Sequence, residues 1–209
     1  MNSSTRFQRA LVTVSLLCLL TPGLRADILS DNLSTVNADT EAVVGDTWIT
    51  ASFTTDARFY HLGDATLLLA NITSGAVQLD LYSDAGQPAS MLSAFTSPLF
   101  FTSDLSPTTF AGSGFLLAPN STYWLVLKAP SGEFDWGWTE DAVGAGVGFT
   151  HTWGFSDDAG TTWTTADIEP MQFRLEATPT PEPASLAFFL TALVPLVWWF
   201  STRRFRASR

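Results

Sequence analysis

Leu116-Leu117-Ala118-Pro119-Asn120-Ser121-Thr122-Tyr123-Trp124-Leu125-Val126-Leu127 places two near-continuous apolar runs on either side of a Pro-Asn pair. Proline presets φ for a turn and asparagine tolerates the left-handed region, so the pattern predicts a hairpin with mostly buried strands. Outward from this block the apolar residues keep a period of two, and Gly, Pro, Asn and Asp interrupt them at short intervals. That pattern predicts strands at 47–53, 59–70, 76–82, 90–95, 110–117, 122–127, 134–138, 148–155, 161–164 and 171–177. Turns are expected at 71–75, 83–88, 118–121 and 156–160. No segment upstream of the tail shows a capped helical stripe. The expected fold is all-β, a two-sheet β-sandwich, with a jelly-roll-like topology favoured over an immunoglobulin-like one.

The two ends of the chain have a different composition. Residues 1–26 carry Arg6 and Arg9, an apolar segment at 10–20 and a small residue, Ala26, before Asp27. This is the pattern of a secretory signal peptide, too short to anchor, cut between Ala26 and Asp27 or alternatively after Gly23. The single cysteine, Cys18, lies inside it, so the mature chain has no disulfide, thiol nucleophile or thiolate ligand. At the other end, residues 178–183 read as a Pro-rich linker and residues 184–200 as an uncharged apolar run. Seventeen helical residues reach about 25 Å, enough for one transmembrane helix. Residues 201–209 follow with Arg203, Arg204, Arg206 and Arg209, which should stay on the cytoplasmic side.

Between these segments lies one domain, 27–177. Its only basic residues are Arg58, Lys128 and Arg174, against nineteen acidic ones over 27–178, a balance of −16 that the whole-chain value of −10 conceals. Such a surface repels phosphate backbones and excludes nucleic acid as a partner. It suits a soluble surface protein, or one that attracts divalent cations or cationic polymers.

Pro181-Glu182-Pro183, a short hydrophobic helix and a terminal arginine cluster, in that order, resemble the PEP-CTERM sorting signal. The resemblance implies a Gram-negative host and an exosortase, a membrane peptidase that removes the tail near Pro181, Glu182 and Pro183. Retention as an ordinary single-pass anchor is the other reading of the same span. The hairpin block, together with Leu29-Ser30-Asp31-Asn32-Leu33, 48–55, 77–84 and Gly160-Thr161-Thr162-Trp163, resembles the choice-of-anchor domains, nearest the R type. These are extracellular β-domains placed before surface-sorting tails, and the resemblance brings no catalytic residues. The signal peptide implies export through the secretion machinery and signal peptidase, and the tail resemblance implies transient residence in the inner membrane and delivery to the envelope or extracellular matrix.

Four groups of residues are candidates for chemistry. Ser156, Asp158, Gly160, Thr162 and Trp163 fit the Asp-box pattern, in which an aspartate caps backbone amides, a glycine takes positive φ and a tryptophan packs beneath; this predicts a turn. Trp136 and Trp138 share a strand face beside Asp135 and Glu140. If exposed, they form a glycan platform, or the acids form a glycosidase pair; if buried, they are core, which is the usual fate of large aromatics on a half-buried strand. His61 and His151 lack ligand-like spacing. Calcium is the more reasonable ion, with Asp80, Asp84, Asp157 and Asp158 as donors near turns, but no loop has EF-hand spacing and the metal stays unassigned. No nucleophile elbow or Ser-x-x-Lys pair occurs. The expectation is a secreted, non-enzymatic surface protein without a cofactor. The alternative is a module that binds carbohydrate, such as exopolysaccharide, held at the envelope by an unprocessed anchor.

Overall fold

Two long strands carry the architecture of the computed structural model, which describes residues 25–180. One is β4 (Tyr60–Asp84) and the other β8 (Thr122–Trp138). They pair antiparallel from Leu69 opposite Trp136 to Ser83 opposite Tyr123, with shifts of register between Asn71 and Gln78. The expected breaks at 71–75 and 128–133 are therefore irregular middles of continuous strands. Two glycines make this passage possible. A Cβ at Gly75 would overlap the Ser131 carbonyl, and Gly132, at φ 76°, would meet the Thr73 carbonyl in the same way. Glycine inside a strand marks a close backbone approach as readily as a turn.

The other strands attach to this pair. β1 (Asp27–Asp31) pairs with β11 (Phe173–Pro179), which pairs with the first half of β4. On the opposite side of β4 lie β5 (Pro88–Ala94), β6 (Ser106–Phe110) and β7 (Leu116–Leu117). β8 carries β2 (Asp39–Val43) and β3 (Trp48–Thr54) on its far side, and the order continues through β9 (Phe149–Ser156) to β10 (Thr164–Ala166). All the pairings are antiparallel and join into one eleven-stranded sheet, so the described residues are all-β. Asp31 bridges to Ala145, and Gly148 N–H donates to Leu29 O at 2.7 Å, bringing β1 to the segment that leads into β9.

Alternation along the strands supplies the core. Ile49, Ala51 and Phe53 of β3, Leu79 and Leu81 of β4, Leu125, Leu127, Phe134 and Trp136 of β8, and Phe173 and Leu175 of β11 all lie in one buried cluster. Burying each of the larger side chains is worth about 1.5–3 kcal/mol.

Three expectations need correction. The hairpin across 118–121 does not form, because Leu116 and Leu117 pair with His61 and Tyr60 instead of with β8. The Tyr123 hydroxyl accepts the Ala118 N–H at 2.8 Å, and the Asp56 carbonyl accepts the Asn120 N–H at 2.7 Å, so the turn is bonded through a side chain and a neighbouring segment instead of through a ladder between its arms. The linker expected from 178 does not start there. Thr178 and Pro179 belong to β11, opposite His61 and Tyr60, and Thr180 donates to Phe59 O through both its N–H and its hydroxyl, each at 2.9 Å. Finally, β1 and β2 were not foreseen: DILSD and DTEAV are short and too charged to stand out as apolar alternation. Residues 1–24, Pro181, Glu182, Pro183, the apolar run at 184–200 and the arginines beyond it lie outside the described residues.

Candidate functional site

Inward-facing residues of β3, β4 and β8 leave their neighbours on the outer face, and there the register sets three rows side by side. Gln78 pairs with Lys128, and Trp48 lies beside it on the next strand. Asp80 pairs with Val126 and then Thr50; Tyr82 pairs with Trp124 and then Ser52. The middle row is fully covered although it faces away from the core: Asp80, Val126 and Thr50 are each 0% exposed. A carboxylate in that position needs compensation. Lys128, the only lysine in the chain, forms an ion pair with Asp80 Oδ2, while Gln78 Nε2 donates to Oδ1 at 2.9 Å. Oδ2 has no aligned hydrogen-bond partner, so the ammonium charge is what holds it. Lys128 Nζ also lies 4.8 Å from the centre of the Trp48 ring and 5.9 Å from that of Tyr82, positions of cation–π attraction. One row further along, Trp124 Nε1 donates to Asp84 Oδ1 at 2.8 Å.

Beside this cluster is an open depression of about 320 Å³, lined by Gly45, Asp46, Trp48, Gln78, Lys128, Pro130 and Ala159. Ala159 comes from the Asp-box turn, and the structure brings all five residues of that motif together. Ser156 Oγ donates to Asp158 Oδ1 at 2.8 Å and accepts from Gly160 N–H at 2.8 Å. Asp158 Oδ1 accepts the Thr162 N–H at 2.8 Å, and Oδ2 accepts the Thr162 hydroxyl at 2.7 Å. These bonds, the Thr162 N–H first, hold the Asp158 carboxyl below its usual range. Gly160 takes φ 82°, and a Cβ there would sit 2.6 Å from the Trp48 ring. Trp163 packs at 6.5 Å from the same ring, and Ala159 N–H donates to Asp46 O at 3.0 Å. The turn thus backs Trp48 and fixes one wall of the depression.

The tryptophan pair expected as a glycan platform lies elsewhere. Trp136 is 0% exposed, with its indole N–H donating to Gln172 O at 3.0 Å, and Trp138 is half-buried against the same core. This corrects the platform, because Trp136 has no face to offer a sugar. Asp135 points to the opposite side, where the Thr40 hydroxyl donates to it at 3.3 Å, and Glu140 is exposed in the loop beyond β8. Near Asp135, on the edge strand β2, Glu41 is held above the usual carboxyl range by burial and then by the charges of Asp39, Glu169 and Asp135.

The expected calcium donors are divided. Asp80 is paired with Lys128, Asp84 accepts from Trp124 and from Gly86 N–H, Asp157 accepts from the Thr47 hydroxyl, and Asp158 is engaged in its turn. Among the described residues no group of three or more His, Cys, Asp or Glu side chains is placed to hold a metal. His61 and His151 are both exposed; His61 Nδ1 lies 3.1 Å from Gly114 O, and His151 lies beside Phe149.

Where the chain enters and leaves the domain, Ala26 is exposed and Asp27 opens β1. Arg58 pairs with Asp27 at 3.2 Å and with Asp56 at 2.9 Å. The Arg58 hydrogen bond draws the Asp56 carboxyl down, while burial, helped by a hydrogen bond to Asp56, pushes the Tyr60 hydroxyl up to about 12. Arg174 pairs with Asp31 at 2.6 Å. Each basic residue of the domain is therefore matched to an aspartate.

Sequence reasoning missed Lys128, Asp80 and Trp48 as a group. The available signal was a lone charge inside each of two apolar strands, Leu79-Asp80-Leu81 and Val126-Leu127-Lys128-Ala129. Compared with known protein families the chain matches none, and no curated protein matches it as a relative.

Proposed function

We propose that the chain is a secreted, non-enzymatic surface protein, exported by residues 1–26 and sorted by an exosortase at Pro181, Glu182 and Pro183 to the envelope or matrix. One observation carries this reading. The ladder of β11 and the two bonds from Thr180 to Phe59 O carry the fold up to the residue before the sorting motif, so a cut at or beyond that motif leaves these bonds in place. Asp27, the residue that would follow signal cleavage, is likewise the first residue of β1 and is paired with Arg58. The finer architecture we propose is a jelly-roll-like sandwich of the choice-of-anchor kind, in which the irregular middles of β4 and β8 divide the sheet into two packed halves. Support for it comes from the single core shared by both halves of these strands.

The test is the intact mass and C-terminal peptide of the protein from a host carrying an exosortase, and from the same host with that peptidase deleted. Loss of everything beyond the Pro181 region only when the peptidase is present supports sorting. Arg209 retained in both strains means a permanent single-pass anchor and overturns the proposal.

A further inference from the structure

We infer that the depression beside Lys128 is a binding subsite for one ring of a neutral saccharide. The inference does not depend on the fate of the tail. The charges around the depression narrow the ligand class first. Lys128 at its floor opposes a metal ion or an ammonium group. A polyanion meets a domain with a balance of −16, in which the charge of Lys128 is already taken up by Asp80. What remains is a neutral polar molecule.

The lining then selects a sugar. An ammonium has three N–H donors, and Lys128 is ion-paired with Asp80 without using them all, which leaves donors for hydroxyl oxygens. Gln78 commits its amide N–H to Asp80, which leaves its Oε1 as an acceptor. Asp46 is exposed at the rim, and its carboxylate accepts from hydroxyls. Trp48 and Pro130 supply apolar walls for the C–H faces of the ring. Donor, two acceptors and apolar walls are the complement of a hexose, and about 320 Å³ lies at the small end of ligand pockets, suited to one ring with the rest of a chain leaving through the open side. The donor geometry is set in advance: Lys128 is held by a buried carboxylate and two aromatic rings, and Trp48 is backed by the Asp-box turn. Little side-chain entropy is then lost on binding.

The test uses the full chain in a detergent without a sugar headgroup. Tryptophan fluorescence is followed during titration with glucose, mannose, galactose and N-acetylglucosamine, and migration is measured in native gels containing dextran, galactomannan or alginate. Saturable binding of at least one neutral sugar is expected, with retardation by a neutral polysaccharide and none by alginate. Asp46→Ala and Gln78→Ala, both at the rim of the depression, should each weaken binding by about tenfold, the worth of one hydrogen bond of about 1.4 kcal/mol. The melting temperature of Asp46→Ala should stay within a few degrees of the parent, whereas Gln78→Ala also removes the donor to the buried Asp80 Oδ1 and should melt lower while still folded at the titration temperature. Trp138→Phe should leave binding unchanged. The inference is overturned if none of the neutral sugars or polysaccharides binds, if alginate binds in their place, or if Trp138→Phe abolishes binding that Asp46→Ala and Gln78→Ala retain. Any of these results leaves the mass measurement of the tail unaffected.

Discussion

Trp136 and Trp48 lie on paired strands of one sheet and face opposite sides of it. Trp136 points inward, fully buried, with its N–H bonded to the Gln172 carbonyl, while Trp48 points outward at the edge of a depression, its ring beside a lysine. Each has carboxylates near it in sequence or in space. The difference lies in the partner of those acids. Around Trp136 the neighbouring acids, Asp135 and Glu41, have only like charges among the groups acting on Glu41. Beside Trp48, Asp80 is paired, and the pair builds a polar floor. An aromatic residue next to an acid therefore says little until its face of the sheet and the counter-charge are known.

The largest effect should come from Trp136→Ala. Truncating a buried indole leaves a cavity and removes one of the two donors to the Gln172 carbonyl, which keeps the Leu68 N–H, at a cost of about 3–5 kcal/mol, read as a shifted midpoint in urea. A shift below 1 kcal/mol would mean that Trp136 is not part of the core and would undo the comparison from that side. Next is Lys128→Met, which keeps the stem but leaves Asp80 buried without its counter-charge, for a loss of about 3 kcal/mol. Adding Asp80→Leu should recover most of that loss; a double variant as unstable as the single one would show that the ion pair is not what the outer face relies on. The smallest effect is expected for Asp158→Ala, which frees the turn behind Trp48. Because the folded state holds the Asp158 carboxyl below its ordinary value of 3.8, its contribution is present above that pH and is lost as pH falls through the lower folded value. Parent and variant should therefore differ at pH 7 and converge in acid. A gap that persists at the lowest pH would assign the turn's contribution to something other than the ionised carboxylate.

The period-two pattern records which side chains face inward, and for that reason the β class and the inward residues of the long apolar strands could be read directly, whereas the charged β1 and β2 were missed and the strand expected at 110–117 is two short pieces, Ser106–Phe110 and Leu116–Leu117. Chain punctuation was less informative. Asn71 to Gly75 look like a turn, yet Gly75 and Gly132 serve a close crossing of two continuous strands, and no local rule separates the two uses. The Pro119-Asn120 turn forms, but its arms go to different partners because Tyr60 and His61, more than fifty residues earlier, take up Leu116 and Leu117. The Asp-box turn was legible because every contact within it spans four residues or fewer. The Asp80–Lys128 pair was not, since it joins residues 48 positions apart and depends on a register that only the folded sheet defines.

The manner in which the chain leaves the domain has a mechanical consequence. β11 lies between β1 and β4, bonded on both sides, and its last residue is followed by Thr180, pinned to Phe59. A pull on the chain at Thr180 acts along β11, so the hydrogen bonds to both neighbours carry the load together in shear instead of opening one after another. A domain tethered from this end would resist drag on whatever it holds through the combined strength of two ladders, and would yield only when β11 slides out as a whole.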